Sequence, residues 1–110
     1  MTEPLASIRA RHEADGAVTL TVSGEIDASN AEEVQRACTG HMDGAPEMVL
    51  DLEEVRYLDS AGLRVLVALW QQGRASGTRL RVSAPRGGFV AELLELTGLD
   101  AHLAPPDHNT

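Results

Sequence analysis

Polar and apolar residues alternate along one early segment, where Val18, Leu20 and Val22 are separated by Thr19, Thr21 and Ser23. That period of two predicts a strand with one buried and one solvated face. Ile8 and Ala10 repeat the pattern more weakly, with Arg9 and Arg11 between them, and Asp15-Gly16 stands ahead of the stronger run. The expected unit is two strands joined by a turn at Asp15-Gly16 and ended by Gly24-Glu25-Ile26-Asp27. The period then changes. Ala31, Val34, Ala37 and Cys38 fall on one helical face, with Ser29 or Asn30 placed to cap the helix and Gly40 and Gly44-Ala45-Pro46 to stop it. Met48-Val49-Leu50-Asp51-Leu52 is nearly continuous in apolar character, which predicts a strand covered on both faces.

Residues 63–70 are almost wholly apolar. Length and flanking residues predict a helix reaching to about Ala75 and stopped by Gly77. Its apolar character on most sides predicts burial on most sides, with Trp70 in the core and the helix as the central packing element. Leu80, Val82 and Ala84 alternate with Arg79, Arg81 and Ser83, giving another strand. Pro85 and Gly87-Gly88 break the chain before a last helix with Phe89, Val90, Leu93, Leu94 and Leu96, closed by Gly98. A further short strand is allowed near Leu103, and the polar, Pro-rich residues 105–110 are expected to form a loose tail. The order predicts an α/β fold: a mixed sheet of four to five strands, with parallel crossovers, packed against three or four helices. Residues 1–110 are expected to form one domain with its core at about 5–104.

Composition narrows the partners. Nine basic residues against 17 acidic ones give a formal charge of −8, which repels nucleic-acid phosphates and anionic lipid head groups. Direct nucleic-acid binding and membrane insertion are therefore not expected, and a basic protein surface is the better partner. An aromatic content of 3% makes the core aliphatic. Cys38, alone in the chain, excludes an internal disulfide and agrees with a reducing compartment. Residues 1–8 lack a basic-then-apolar leader pattern, and no stretch approaches a membrane span, so a cytoplasmic location is expected.

Candidate chemistry concentrates at Leu58-Asp59-Ser60-Ala61-Gly62-Leu63, where the central helix begins. Asp59 or Ser60 can cap the free amides of the first turn, and a capping role alone would explain both. The same place suits a phosphate, because helix N-termini favour negative charge. Phosphorylation adds about −1.5 to −2 charges at pH 7, enough to abolish docking while the fold persists. Gly62 keeps bulk away from this turn. The acidic pairs Glu25/Asp27 and Glu53/Glu54 lack a nucleophile or histidine in a recognisable order, so catalysis is not expected. His12, His41, His102 and His108 share no metal-ligand spacing and read as surface residues, Cys38 as a small core thiol, and Gly87-Gly88 as a helix start. Arg9 and Arg11 with Arg79 and Arg81 could form a basic stripe or simply line a solvated face.

Three segments carry more than local meaning: Gly24-Glu25-Ile26-Asp27, Asp59-Ser60-Ala61-Gly62-Leu63 and Leu96-Thr97-Gly98-Leu99. In this order and spacing the chain resembles the STAS domain family over residues 8–103, and within it the stand-alone bacterial anti-sigma factor antagonists. The resemblance implies a non-enzymatic partner switch. The unphosphorylated antagonist binds an anti-sigma factor with serine kinase activity, of the histidine-kinase-like ATPase fold, and sigma factor is released. The kinase then phosphorylates the serine, the complex separates, and a serine phosphatase resets it. By position Ser60 corresponds to the phosphoacceptor, with Asp27, Asp59, Ala61, Gly62 and Leu63 on the docking surface. ATP belongs to the partner, so no cofactor or metal is implied, and a monomer is expected. Ala61 stands where many relatives have a second Ser or Thr, and the chain ends in Pro105-Pro106 and a polar tail where relatives often continue into a further helix. Two other readings share the resemblance: a STAS subunit held permanently by the ATPase subunit of a lipid transporter, whose Asp-(Ser/Thr)-Ala-Gly-Leu pattern Ala61 fits, and a scaffold subunit of a large stress-sensing complex.

Overall fold

The computed structural model describes residues 4–98. Strand β1 (Ala6–His12) turns back into β2 (Val18–Ile26), and helix α1 (Ala31–Thr39) leads to β3 (Glu47–Leu58). Helix α2 (Ser60–Ser76) then leads to β4 (Arg79–Ser83), and α3 (Phe89–Thr97) follows. The strands lie in chain order, with β1 antiparallel to β2 and the pairs β2/β3 and β3/β4 parallel. The β1–β2 turn is closed where Glu13 N–H donates to Ala17 O at 2.8 Å and Asp15 Oδ1 accepts from Ala17 N at 3.0 Å. The α/β expectation therefore holds, with four strands and three helices among the described residues. The strand expected near Leu103 and the tail at 105–110 lie outside those residues.

Alternation decides which face of the sheet is covered. Val18, Leu20, Val22 and Ile26 on β2, Met48, Leu50 and Leu52 on β3, and Leu80 and Val82 on β4 are buried in one cluster. The same cluster holds Val34 and Cys38 of α1, Val65, Leu66 and Leu69 of α2, and Val90 and Leu94 of α3. The molecule is thus two layers, helices on one face of a sheet whose other face is polar and partly solvated. Burial along β3 alternates at Glu47–Leu52, so the expectation of a strand covered on both faces is corrected. Val49 and Asp51 lie on the open face, where none of the described helices packs.

Helix α2 is also covered on one side. Gly62, Val65, Leu66, Leu69 and Gly73 are buried, whereas Leu63 and Trp70 are only partly so. Trp70 packs against the rim of the core, with the Arg74 guanidinium 5.1 Å from its ring centroid, and is not the core residue expected. A single layer of helices leaves every helix one outward face, and a long apolar run does not change that. The arginines form no continuous stripe: among the described strands, Arg9 and Arg11 lie on one edge and Arg79 and Arg81 on the other. Arg9 pairs with Glu54 at 2.9 Å, Arg11 with Glu13 at 2.8 Å and Arg81 with Glu47 at 3.2 Å.

Cys38 is fully buried, and desolvation pushes its thiol up to about 11. It packs as the small apolar residue its helical face suggested. Among the described residues, Thr78 is the buried polar exception. Its hydroxyl is positioned against Ala45 O at 2.6 Å and Met42 O at 3.2 Å, tying the start of β4 to the loop before β3.

Candidate functional site

Parallel pairing brings the carboxyl ends of β2 and β3 together, with Ile26 opposite Leu58. Asp27 and Asp59 are the next residues of each strand, and Asp59 N–H donates to Ile26 O at 3.3 Å. This alignment depends on two register shifts, between Thr21 and Ser23 and between Gly24 and Glu25, each of which gives β3 an extra residue. The strand ends of parallel pairs are where α/β folds commonly present binding groups, because the chain turns there into helix N-termini.

Asp59 has extended backbone geometry (φ −105°, ψ −165°), and its Oδ1 accepts from Ala61 N at 2.9 Å and Gly62 N at 3.2 Å. Its carbonyl accepts from Leu63 N at 3.0 Å. Asp59, and not Ser60, is therefore the cap. Ser60 opens the helix as an exposed residue whose hydroxyl makes no hydrogen bond among the described residues. Replacing Asp59 by Ala is expected to cost about 1 kcal/mol. That corresponds to a fall of roughly 4–8 °C in thermal midpoint, with Asp59→Asn retaining most of it; calorimetry of both variants checks this.

Asp27 organises the neighbouring turn. Its Oδ1 accepts from the Ser29 hydroxyl at 2.6 Å and the Ser29 amide at 2.8 Å. The Ser29 hydroxyl is the main cause that holds the Asp27 carboxyl below its ordinary range, followed by the Ser29 amide, while desolvation opposes it and the Asn30 amide helps. Asp27 is thus a half-buried carboxylate that is ionised near neutral pH. Neither Ser29 nor Asn30 caps α1 through its side chain, contrary to expectation. Asn30 turns back toward β2 instead, accepting from Asp27 N at 2.9 Å and donating to Glu25 O at 2.9 Å. The Asp27 carbonyl accepts from Ala31 N at 2.9 Å and helps start the helix.

Gly62 lets α2 sit close to the strand ends: a Cβ there would lie 2.6 Å from Leu58 Cγ and 3.3 Å from Ile26 Cγ2. Ala61 is partly buried and lines a shallow groove of about 320 Å³ between α1 and α2, with Ala28, Ala31, Glu32, Gln35, Arg64 and Val65. The structure also adds two residues that sequence patterning missed. Tyr57 and Phe89 remain 45% and 48% exposed, and their rings stack at 6.3 Å with planes 14° apart. Tyr57 lies opposite Glu25 in the β2/β3 register, at the same end of the sheet as Asp27 and Asp59. The only available signal was the scarcity of aromatic residues, one Tyr, one Phe and one Trp in the chain, two of them left in water.

Among the described residues, no three His, Cys, Asp or Glu side chains gather to hold a metal ion. No helix there is long and apolar enough to cross a membrane.

Strand order β1-β2-β3-β4, one layer of helices and a serine-bearing helix start beside two strand-end carboxylates define a two-layer α/β domain of the kind the three motifs suggested. The model of the family described as "Mlab, STAS domain" matches residues 10–105. The chain belongs to the STAS domain family. It is 32% identical to the predicted anti-sigma factor antagonist BtrV of Bordetella bronchiseptica over 76% of this chain and 72% of that protein. It is 36% identical to Osmosensory protein A of Mycobacterium tuberculosis over 57% of this chain, but the match spans only 40% of that protein. A crystal structure of an anti-sigma factor antagonist from Mycobacterium paratuberculosis superposes with a TM-score of 0.76 at 28% identity. That superposition covers 99% of this chain and 93% of the other.

Proposed function

We propose that residues 1–110 act as one STAS domain and an anti-sigma factor antagonist, a binding regulator of the cytoplasm without catalysis of its own. In its unphosphorylated form it docks on an anti-sigma factor with serine kinase activity and the histidine-kinase-like ATPase fold, through Asp27, Asp59, Ser60, Ala61, Gly62 and Leu63. Sigma factor is thereby released. The partner's ATP supplies the phosphate that inactivates Ser60, and a serine phosphatase removes it. The observation that carries this reading is the exposed Ser60 hydroxyl, unengaged at the start of α2, beside Asp59 and the ionised Asp27. Tyr57 and Phe89 extend the same surface with apolar area of the kind that anchors protein interfaces. The chain works as a monomer and needs no cofactor.

Two observations favour a second reading, a constitutive STAS subunit of a lipid transporter bound to its ATPase subunit. The matching family model carries the Mlab description, and Ala61 follows Ser60. Partner capture from native lysate with unphosphorylated wild type and with Ser60→Asp separates the two. The switch reading expects a kinase-type anti-sigma factor held by wild type and released by Ser60→Asp. A cassette ATPase held equally by both baits would replace it with the transporter reading.

A further inference from the structure

The pole of the sheet opposite Ser60 carries a feature that the partner switch does not use. His12 ends β1 opposite Val18, the first residue of β2, whereas Ser60 follows the far end of β3. His41 stands in the turn after α1. The fold brings these imidazoles together, with ring centroids 5.5 Å apart and planes tilted by 45°. Nothing in their sequence separation announces it.

We propose that His12 and His41 form a two-imidazole site for a divalent transition cation of the Cu²⁺, Ni²⁺ or Zn²⁺ type. The spacing is the first argument. A tetrahedral metal bonded to one nitrogen of each of two imidazoles, at about 2.0–2.1 Å, sets the ring centroids roughly 5 Å apart. The tilt allows ring edges to converge on one point, which face-to-face stacking would prevent. Backbone rigidity is the second argument. His12 is held in the β1/β2 ladder, and the adjoining turn is closed by Glu13 N–H to Ala17 O at 2.8 Å. His41 N–H donates to Cys38 O at 3.1 Å, and the carbonyl of the next residue, Met42, lies 3.2 Å from the buried Thr78 hydroxyl. Two ligands on separately anchored elements lose little freedom on chelation, which is the condition for useful affinity.

Neutral imidazole suits these borderline cations and not Mg²⁺ or Ca²⁺, which select oxygen ligands. The net charge of −8 raises the local concentration of any cation. Since no third protein ligand joins the pair among the described residues, water completes the coordination sphere. The bound ion would clip the end of β1 to the α1–β3 turn and stabilise the folded chain by mass action.

The test is calorimetric titration of the full chain, free of any histidine tag, with CuCl₂, NiCl₂ and ZnCl₂, and with MgCl₂ as control. One ion per chain is expected, Cu²⁺ binding tightest. His12→Gln and His41→Gln should each weaken binding at least about tenfold, while His102→Gln and His108→Gln leave it unchanged. Circular dichroism verifies that each variant is folded. Electron paramagnetic resonance of the Cu²⁺ form of the wild type gives a reading independent of any variant, with two coordinated nitrogens expected. Absence of saturable binding, a loss that follows His102 or His108, or a spectrum without two-nitrogen coordination would overturn the site.

Discussion

Phosphate on Ser60 is expected to weaken binding to a kinase-type anti-sigma partner by at least about a hundredfold, while the thermal midpoint of the free chain stays nearly unchanged. Burying a phosphate's charge at a docked surface that offers it no matched partner costs several kcal/mol, and about 3 kcal/mol already corresponds to that factor. The local geometry explains why the fold should not absorb the new charge. Asp59 already occupies the amides of Ala61 and Gly62 that would otherwise receive a phosphate. The added group is left outward, beside the carboxylates of Asp27 and Asp59, and its charge is presented to whatever docks there. Binding measured by titration calorimetry on the phosphorylated and unphosphorylated chains checks the first half, and differential scanning calorimetry the second. Equal affinity of the two forms would remove Ser60 from the switch. A collapse of the thermal midpoint would show that the charge acts through the fold and not at the surface.

Gly24→Ala is expected to be the most damaging small substitution in the chain, costing roughly 3 kcal/mol or more. Gly24 has φ +100°, where side chains are strained, and a Cβ would stand 2.1 Å from Leu5 O. That carbonyl cannot swing away freely, since it accepts from Glu25 N at 2.9 Å. The clash would push the start of β1 off β2 at the Ala6–Gly24 pair. The register shift between Gly24 and Glu25 also helps align Ile26 with Leu58, so partner binding should fall together with stability. Gly44→Ala provides the control. It has φ +77° but nothing within 4 Å of the added carbon, so only the left-handed penalty of about 1–2 kcal/mol applies. Chemical denaturation of both variants checks the difference; equal losses would mean that the contact with Leu5 carries no weight.

What was legible in the sequence follows the range of the interactions involved. Val18, Leu20 and Val22 announced β2 because alternation is local, and Gly77 announced the end of α2 because its left-handed cap is local too. The apolar run at Met48–Leu52 located β3 but not its length. Glu53, Glu54 and Arg56 interrupt the pattern, and two register shifts carry the strand through them to Leu58. Both sides of β3 looked buried because Val49 is apolar; whether a second helical layer exists to cover it is a property of the whole topology. Within the candidate site, the Asp59 cap was readable from adjacent residues. Asp27 was named there by the family resemblance, and local patterning could not place it beside Asp59, which the parallel register does; Tyr57 meets Phe89 from another element. The Asn30 misreading has a specific cause: its amide finds Glu25 O and Asp27 N, partners supplied by the strand it follows.

The exposed arginines of β1 act as a fence at one rim of the sheet. Backbone amides along an open rim can recruit a foreign strand and seed fibres, a hazard that short strands and charged side chains suppress. Here β4 is only five residues long, and the seven-residue β1 displays Arg9 and Arg11 with their side chains 69% and 75% exposed. A second chain approaching β1 would have to strip water from the Arg9–Glu54 and Arg11–Glu13 pairs. The same charges that leave the outer face uninviting disfavour strand-to-strand assembly along β1.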